Sequence, residues 1–313
     1  MSANLIYVFL SNNFNNKKLQ RVDSNSSSDI PSYYIDTFKF NSKKFKNSYV
    51  ITNRDIIAKY ANVFPEGTHF ISVEDEICNT EEFKTVQSLL ELTWSELYTT
   101  DAFWYVTFMR IIVLSIFIKQ KNLSNVIHVE ADNLIFETDF KNIFELLAVG
   151  EFSYTNEAAY ASAPCTIIFK DGLAGSNMLN HHISLLKKGE HIIKHHVGHF
   201  YNWIADMAFL DLIHRAKKNY KMLPCLPFGP YAENFNTLKL IFDPISYGQF
   251  LGGTNNKCDP GYAERRHFVG KEICDGTVKV TFNKRPFIEY KNELIPLFNL
   301  HLHNKGSIPL FIS

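Results

Sequence analysis

Four short apolar runs punctuate the first half of the chain: NLIYVFL (residues 4–10), YVIT (49–52), HFISV (69–73) and NVIHVE (125–130). Each is rich in β-branched or aromatic residues, the composition of a buried strand. Helical patterns separate the later runs. TEEFKTVQSLLEL (80–92) opens with an incomplete capping box at Thr80 but an acidic first turn, Glu81 and Glu82. DAFWYVTFMRIIVLSIFIKQ (101–120) is mostly apolar and predicts a buried helix with Asp101 as N-cap. Strands alternating with helices predict a parallel sheet covered on both faces. The polar SNSSSD (24–29) reads as a loop between the first two elements.

Beyond residue 136 the pattern predicts a helix over 139–148, strands FSYT and CTIIFK, and helices over 177–188 and 201–218. The last third is richer in Gly and Pro (LPCLPFGP, DPISYGQFLGGTNN, KCDPGY), which predicts long loops over an active face. LFNLHLHNKG (297–306) reads as a strand followed by a turn.

Composition narrows this picture. A chain of 313 residues accommodates one large α/β domain or two modest ones, and 27 Phe with 15 Tyr supply ample core. Lys+Arg and Asp+Glu both total 32, so no global basic field points to nucleic acid. The five cysteines are odd in number and scattered without a CxxC pair, which suits a reducing compartment. The N-terminal MSANLIYVFLSNNF lacks the basic and apolar regions of a signal peptide. The longest apolar run, IIVLSIFI (111–118), falls well short of the roughly 20 residues a bilayer requires, so no transmembrane segment is expected. These features predict a soluble, cytoplasmic protein.

The candidate chemistry lies in NVIHVEADNLIF (125–136), where His128, Glu130 and Asp132 alternate between two apolar runs. On a strand, alternate residues share a face, so the three are expected to point together at the carboxyl end of a parallel strand. Open α/β sheets bind ligands at that edge. Two carboxylates facing one way repel unless a cation or protons lie between them, and a hard divalent ion, Mg²⁺ or Mn²⁺, answers that need. Near the C-terminus, His301 and His303 share a face by the same period of two, opposite Leu300 and Leu302. One of them is a candidate further metal ligand, with Lys305 to meet phosphate charge.

HVEADNLIF following FWYVTFMRIIVL resembles the DxD region of the GT-A nucleotide-sugar glycosyltransferases, in an E-x-D variant. NLHLHNK is similar to the C-terminal element that carries a metal-binding His in that family, and DPISYGQFLGG (243–253) resembles a segment of bacterial and viral glycosyltransferases. The resemblance runs from the first strand to His303. It implies a GT-A (Rossmann-like) α/β fold, a mixed, mostly parallel sheet flanked by helices in one large domain. Residues 1–136 would bind the nucleotide-sugar, and 137–313 would form the acceptor side with the C-terminal metal-ligand strand. It implies a metal-dependent hexosyl- or pentosyltransferase that uses Mn²⁺ or Mg²⁺, a nucleotide-sugar donor (UDP- or GDP-sugar) and a glycan or other hydroxyl acceptor. Asp132 is then a metal ligand; Glu130, where the family carries Asp, touches the metal or the donor. His303, nearer the turn and Lys305, is preferred over His301.

A nucleoside diphosphate leaving group needs its charge neutralised, and a divalent metal with a lysine does so electrostatically. An oxocarbenium-like state is helped by a carboxylate near the anomeric carbon, for which Asp206 in DMAFL is the candidate. Arg110, alone in an apolar helix, must meet an acid or a phosphate, so it is either a core salt bridge or a donor contact. Thr52 and Asn53, after the second strand, either contact base or ribose or simply close a strand-end turn. HHVGH (195–199) spaces two His four apart, but position 196 is His where a zinc protease needs Glu. Two other readings share the pattern. A sugar-phosphate nucleotidyltransferase would show a Gly-rich basic signature near the N-terminus, absent from NLIYVFLSNNFNNKK. A non-catalytic nucleotide- or sugar-binding protein of the same fold would bind without turnover.

Overall fold

The computed structural model describes residues 2–11, 29–93, 102–158, 161–189, 191–192, 206–254 and 260–312. Asp101, most of the 24–29 loop, HHVGH and the start of the helix expected from 201 lie outside them.

Adjacent apolar residues on the strands go to opposite faces, and this alternation builds two cores. In β1 (Asn4–Phe9), Ile6 faces one cluster and Tyr7 the other; Ile51 and Val50 of β2 (Asn47–Thr52) divide likewise. After β3 (Thr68–Ser72), the same split recurs at Val126 and Ile127 of β4 (Val126–Val129). One face is covered by the helices Glu81–Thr93, Ala102–Gln120, Gly172–Lys188 and Asp206–Ala216. The other takes Ser32–Ser42 and Lys141–Leu146. The helix Ala102–Gln120 is apolar all round because its neighbours bury it on every side; Phe108 to Met109 and Ile111 to Ile118 are buried without a break.

After β5 (Asn133–Ile135), β6 (Phe152–Ala158), β7 (Ala161–Phe169) and β8 (Tyr220–Met222), the seven-stranded sheet has the order β3-β2-β1-β4-β7-β6-β8. β7 alone runs against the rest. This is the mixed, mostly parallel sheet flanked by helices that the sequence implied. The Gly- and Pro-rich last third is more ordered than expected. It forms an antiparallel sheet of β9 (Lys279–Asn283), β10 (Arg285–Tyr290) and β11 (Glu293–Pro296), and β12 (Asn299–His301) pairs antiparallel with β5. A third apolar cluster, with Leu134, Tyr247, Ile288 and Leu300, lies beneath them. The helix Ser32–Ser42 was not anticipated either, since its polar and aromatic residues show little helical periodicity. Among the described residues no helix is long and apolar enough to cross a membrane.

Candidate metal and transfer site

β1 to β4 end at one edge, and there the chain leaving β4 turns at once. Asn133 N donates to Glu130 O at 3.1 Å, and Glu130 N donates to Cys165 O at 3.0 Å. Glu130 and Asp132 therefore converge through a tight turn, not through the strand alternation expected, because β4 stops at Val129. Leu302 N donates to Asp132 O at 2.9 Å, so the turn is fastened to the exit of β12. His128 stays behind inside the sheet, with Nδ1 2.9 Å from Ile6 O. Burial, and then the charge of Arg110, push its pKa down to about 3, so it is a neutral core residue.

His301 is carried to the acids by the β5–β12 pairing, which sets it opposite Asn133. Its Nε2 stands 3.3 Å from Glu130 Oε2 and 3.2 Å from Asp132 Oδ1. One ligand atom from each of Glu130, Asp132 and His301 lies within 4.8 Å of the others. Cis ligands of an octahedral Mg²⁺ sit about 3 Å apart, so two carboxylates and an imidazole at these separations fit a hard divalent ion with open positions left over. His301 Nδ1 faces Pro244 O at 3.3 Å, the carbonyl partner that leaves Nε2 free to coordinate. Nearness to the turn and Lys305 favours His303; the structure brings His301 instead. His303 stands beside it, ring centroids 5.1 Å apart, with Nδ1 3.3 Å from Gln249 Nε2. Burial, then the charges of His301 and Lys305, push its pKa down to about 3.

Without a metal the cluster balances its own charge. Arg110 pairs with Glu130 and, at 3.1 Å, with Asp206 Oδ2, while Lys305 pairs with Asp132. Arg110 is thus an ion-pair residue at the site's edge. Burial works against Glu130 and Asp132 ionising, but Arg110 and His301 hold the first acid low, and His301 and Lys305 hold the second well below the carboxylate range. Against its own burial, the charge of Asp132 holds His301 well above the usual imidazole value. Asp206, only 2% exposed, is pushed up to about 6 by burial, with Arg110 opposing.

Thr52 and Asn53 sit at the same edge, at the end of β2. Asn53 is already engaged: Ser11 N donates to its Oδ1 at 2.8 Å, and its Nδ2 donates to Glu74 Oε1 at 2.6 Å. Thr52 is buried, and its hydroxyl has no partner among the described residues.

Sequence reading missed the scaffold behind the triad. Asp243, fully buried, accepts from Tyr247 N (3.0 Å), Gly248 N (2.8 Å) and His301 N (2.9 Å). It locks β12 to the helix Ser246–Gly252. A Cβ on Gly248 would stand 2.0 Å from His301 O, so only glycine allows that approach. Asn299 bridges the site in the other direction: Asp243 N donates to its Oδ1 at 3.0 Å, and its Nδ2 donates to Asn133 Oδ1 at 2.8 Å. Asn133 Nδ2 donates in turn to Cys165 O at 2.6 Å. Such buried networks fix one arrangement because every broken link strands a polar atom. The DP before SYG was the one sequence signal, an acid directly ahead of a helix start. Asp243→Asn must turn an NH₂ toward one of the three N–H donors. It is expected to weaken Mn²⁺ binding about 10–100-fold with the fold retained, read by titration of free Mn²⁺.

No protein-family model matches the chain, and no curated protein matches it by sequence. Among solved structures it is similar to mouse xyloside xylosyltransferase 1 in its apo form, at 10% identity and a TM-score of 0.45, over 72% of this chain and 86% of that one. The glycosyltransferase GlyE of Streptococcus pneumoniae TIGR4 gives 13% identity and a TM-score of 0.38, over 71% of this chain and 45% of that one. The CTP:phosphocholine cytidylyltransferase LicC of Streptococcus pneumoniae gives 11% and 0.32, over 71% and 90%. At these scores the likenesses carry no functional conclusion, and the site itself must supply one.

Proposed function

We propose that the chain is a divalent-metal-dependent glycosyltransferase that moves a sugar from a nucleoside diphosphate, UDP or GDP, to a hydroxyl of a glycan or similar acceptor. The observation that carries this reading is the meeting of Glu130, Asp132 and His301 at the carboxyl edge of the sheet, with Arg110 paired to Glu130, Lys305 paired to Asp132, and Asp206 joined to the cluster through Arg110. Mn²⁺ or Mg²⁺, held by the triad, would supply positive charge to the departing diphosphate.

The remaining work falls to the chain's own residues. Three acids (Glu130, Asp132, Asp206) face three cations (Arg110, Lys305 and a protonated His301), so the cluster is neutral without metal. A dication in exchange for the His301 proton leaves it net positive, suited to an anionic diphosphate. Lys305, on a flexible stem with its side chain 30% exposed, is placed to add charge there. Arg110 Nη2 holds both Glu130 and Asp206, and Asp206 is the carboxylate for the cationic sugar. We place the nucleoside over the cleft lined by Ser11, Asn53, Arg54 and Glu74, at the ends of β1 to β3.

The test separates this reading from nucleotidyl transfer by which bond breaks. With Mn²⁺, UDP- or GDP-sugars are expected to release nucleoside diphosphate slowly to water and faster with an acceptor. Pyrophosphate release from a nucleoside triphosphate and a sugar phosphate, with no such activity, would establish the other reaction. Nucleotide binding without either product would establish a binding protein.

A further inference from the structure

Away from the triad, one small region concentrates polar atoms that the fold does not use. The pairing of β6 with β7 slips by one residue between Asn156↔Ser162 and Ala158↔Ala161, which makes Glu157 the extra residue of a bulge. Bulges of this kind re-aim a side chain, and they gather beside active sites. Glu157 is turned to His267, whose Nε2 lies 2.7 Å from Glu157 Oε1, both residues only 4% exposed. Among the described residues the other oxygen, Glu157 Oε2, has no partner; neither has His267 Nδ1, Asn156 Oδ1 or Ser162 Oγ. Buried polar atoms are nearly always paired, so four unpaired ones around a single bulge point to something that arrives.

Their chemistry says what. With Nε2 engaged by Glu157, Nδ1 is the open ring position of His267. Glu157 Oε2 and Asn156 Oδ1 are acceptors only, and the Ser162 hydroxyl can play either part. A ligand for this set must bring donors and no negative charge. Sugar hydroxyls meet that requirement; phosphates and carboxylates do not. Position agrees. β6 lies on the far side of β4 from β1 to β3, so the bulge is across the triad from the nucleoside cleft. It is also tied to the metal scaffold, because Cys225 Sγ donates to Asn156 O at 3.4 Å, Tyr247 Oη donates to Cys225 O at 2.8 Å, and Tyr247 N donates to Asp243.

We propose that Asn156, Glu157, Ser162 and His267 form the acceptor subsite, which binds the hydroxyls of an uncharged sugar. The assignment of these residues to the acceptor rests on the glycosyltransferase reading above; their binding of a sugar does not.

The experiment measures binding of p-nitrophenyl glucoside, galactoside, xyloside and mannoside by saturation-transfer NMR, and of UDP with Mn²⁺ by thermal shift. It compares wild type, Ser162→Ala and the near-isosteric Glu157→Gln. Ser162 Oγ makes no hydrogen bond among the described residues, so Ser162→Ala is expected to melt at the same temperature or higher, yet to bind the preferred glycoside at least fivefold more weakly. Glu157→Gln is expected to weaken it at least tenfold. UDP and Mn²⁺ binding should be unchanged in both. Glycoside affinity unchanged in both variants overturns the subsite, as does a lower melting temperature in Ser162→Ala. A wild type that binds UDP with Mn²⁺ but none of the glycosides also overturns it, while leaving the donor reading intact. Glycoside binding that the variants weaken, in a protein that ignores UDP and Mn²⁺, supports the subsite and removes the glycosyltransferase reading.

Discussion

Asp132→Asn is expected to abolish Mn²⁺-dependent stabilisation by the cognate nucleotide and to lower turnover by about 10³-fold or more. Asp132 is the one residue of the triad that also holds Lys305, so its loss removes a metal ligand and strands a lysine at once. A ligand present at about 100 times its Kd adds roughly 2.7 kcal/mol to wild-type stability, a shift of a few degrees at most in a chain this long. The same nucleotide should give no metal-dependent shift in the variant. The amide keeps the shape of the carboxylate, and Leu302 N still bonds the Asp132 main-chain oxygen, so the turn itself should survive. A variant that keeps both the shift and the turnover would mean that the acids at this edge only close a turn. Glu130→Gln is the internal comparison. Arg110 retains Asp206 when Glu130 is neutralised, so the loss of fold stability should be the smaller of the two.

The sequence made the sheet legible because its strands are buried on both faces and read as uninterrupted apolar runs. Tyr7 and Ile6, or Val50 and Ile51, need no periodicity to be recognised as strand. The acids were legible for the opposite reason: Glu130 and Asp132 are charges set between such runs. What the pattern did not convey was how they converge. A period of two predicts a shared strand face for His128, Glu130 and Asp132, whereas the Glu130–Asn133 turn separates His128 from the pair. The choice between His301 and His303 was likewise beyond local pattern. It depends on where the pairing stops, because β12 ends at His301, opposite Asn133, and His303 lies beyond the paired strand. Asp243, Asn299 and Asn133 were missed because their partners lie far along the chain; the Asn299–Asn133 contact spans 166 residues. Polar residues in a Gly- and Pro-rich segment look like loop, and only the folded contacts show them to be a buried network.

Asp206 offers the second large effect, and its sign follows from burial. Its pKa is about 6 in the folded chain, raised by burial and partly countered by Arg110. The unfolded value is near 3.9. A carboxylate that faces a developing sugar cation must be ionised, so kcat/KM is expected to fall about tenfold per pH unit below 6. Asp206→Asn should remove that acid limb and reduce kcat by about 10²-fold or more across the range. Stability runs the other way. The raised pKa contributes stability that is fully present below about pH 4 and is lost as pH rises through 6, a difference of up to about 3 kcal/mol. Between pH 4 and 7 the wild type should therefore lose stability relative to Asp206→Asn, which has no such proton to release. Urea midpoints of the two proteins across this range give the comparison. A fixed offset at every pH would place Asp206 outside the titrating core of the site, and an acid limb that survives in the variant would assign the limb to another group. The two trends share one origin: the site keeps Asp206 buried where ionisation is unfavourable, and in the proposed reaction that same burial would exclude the water that otherwise shields it from the sugar.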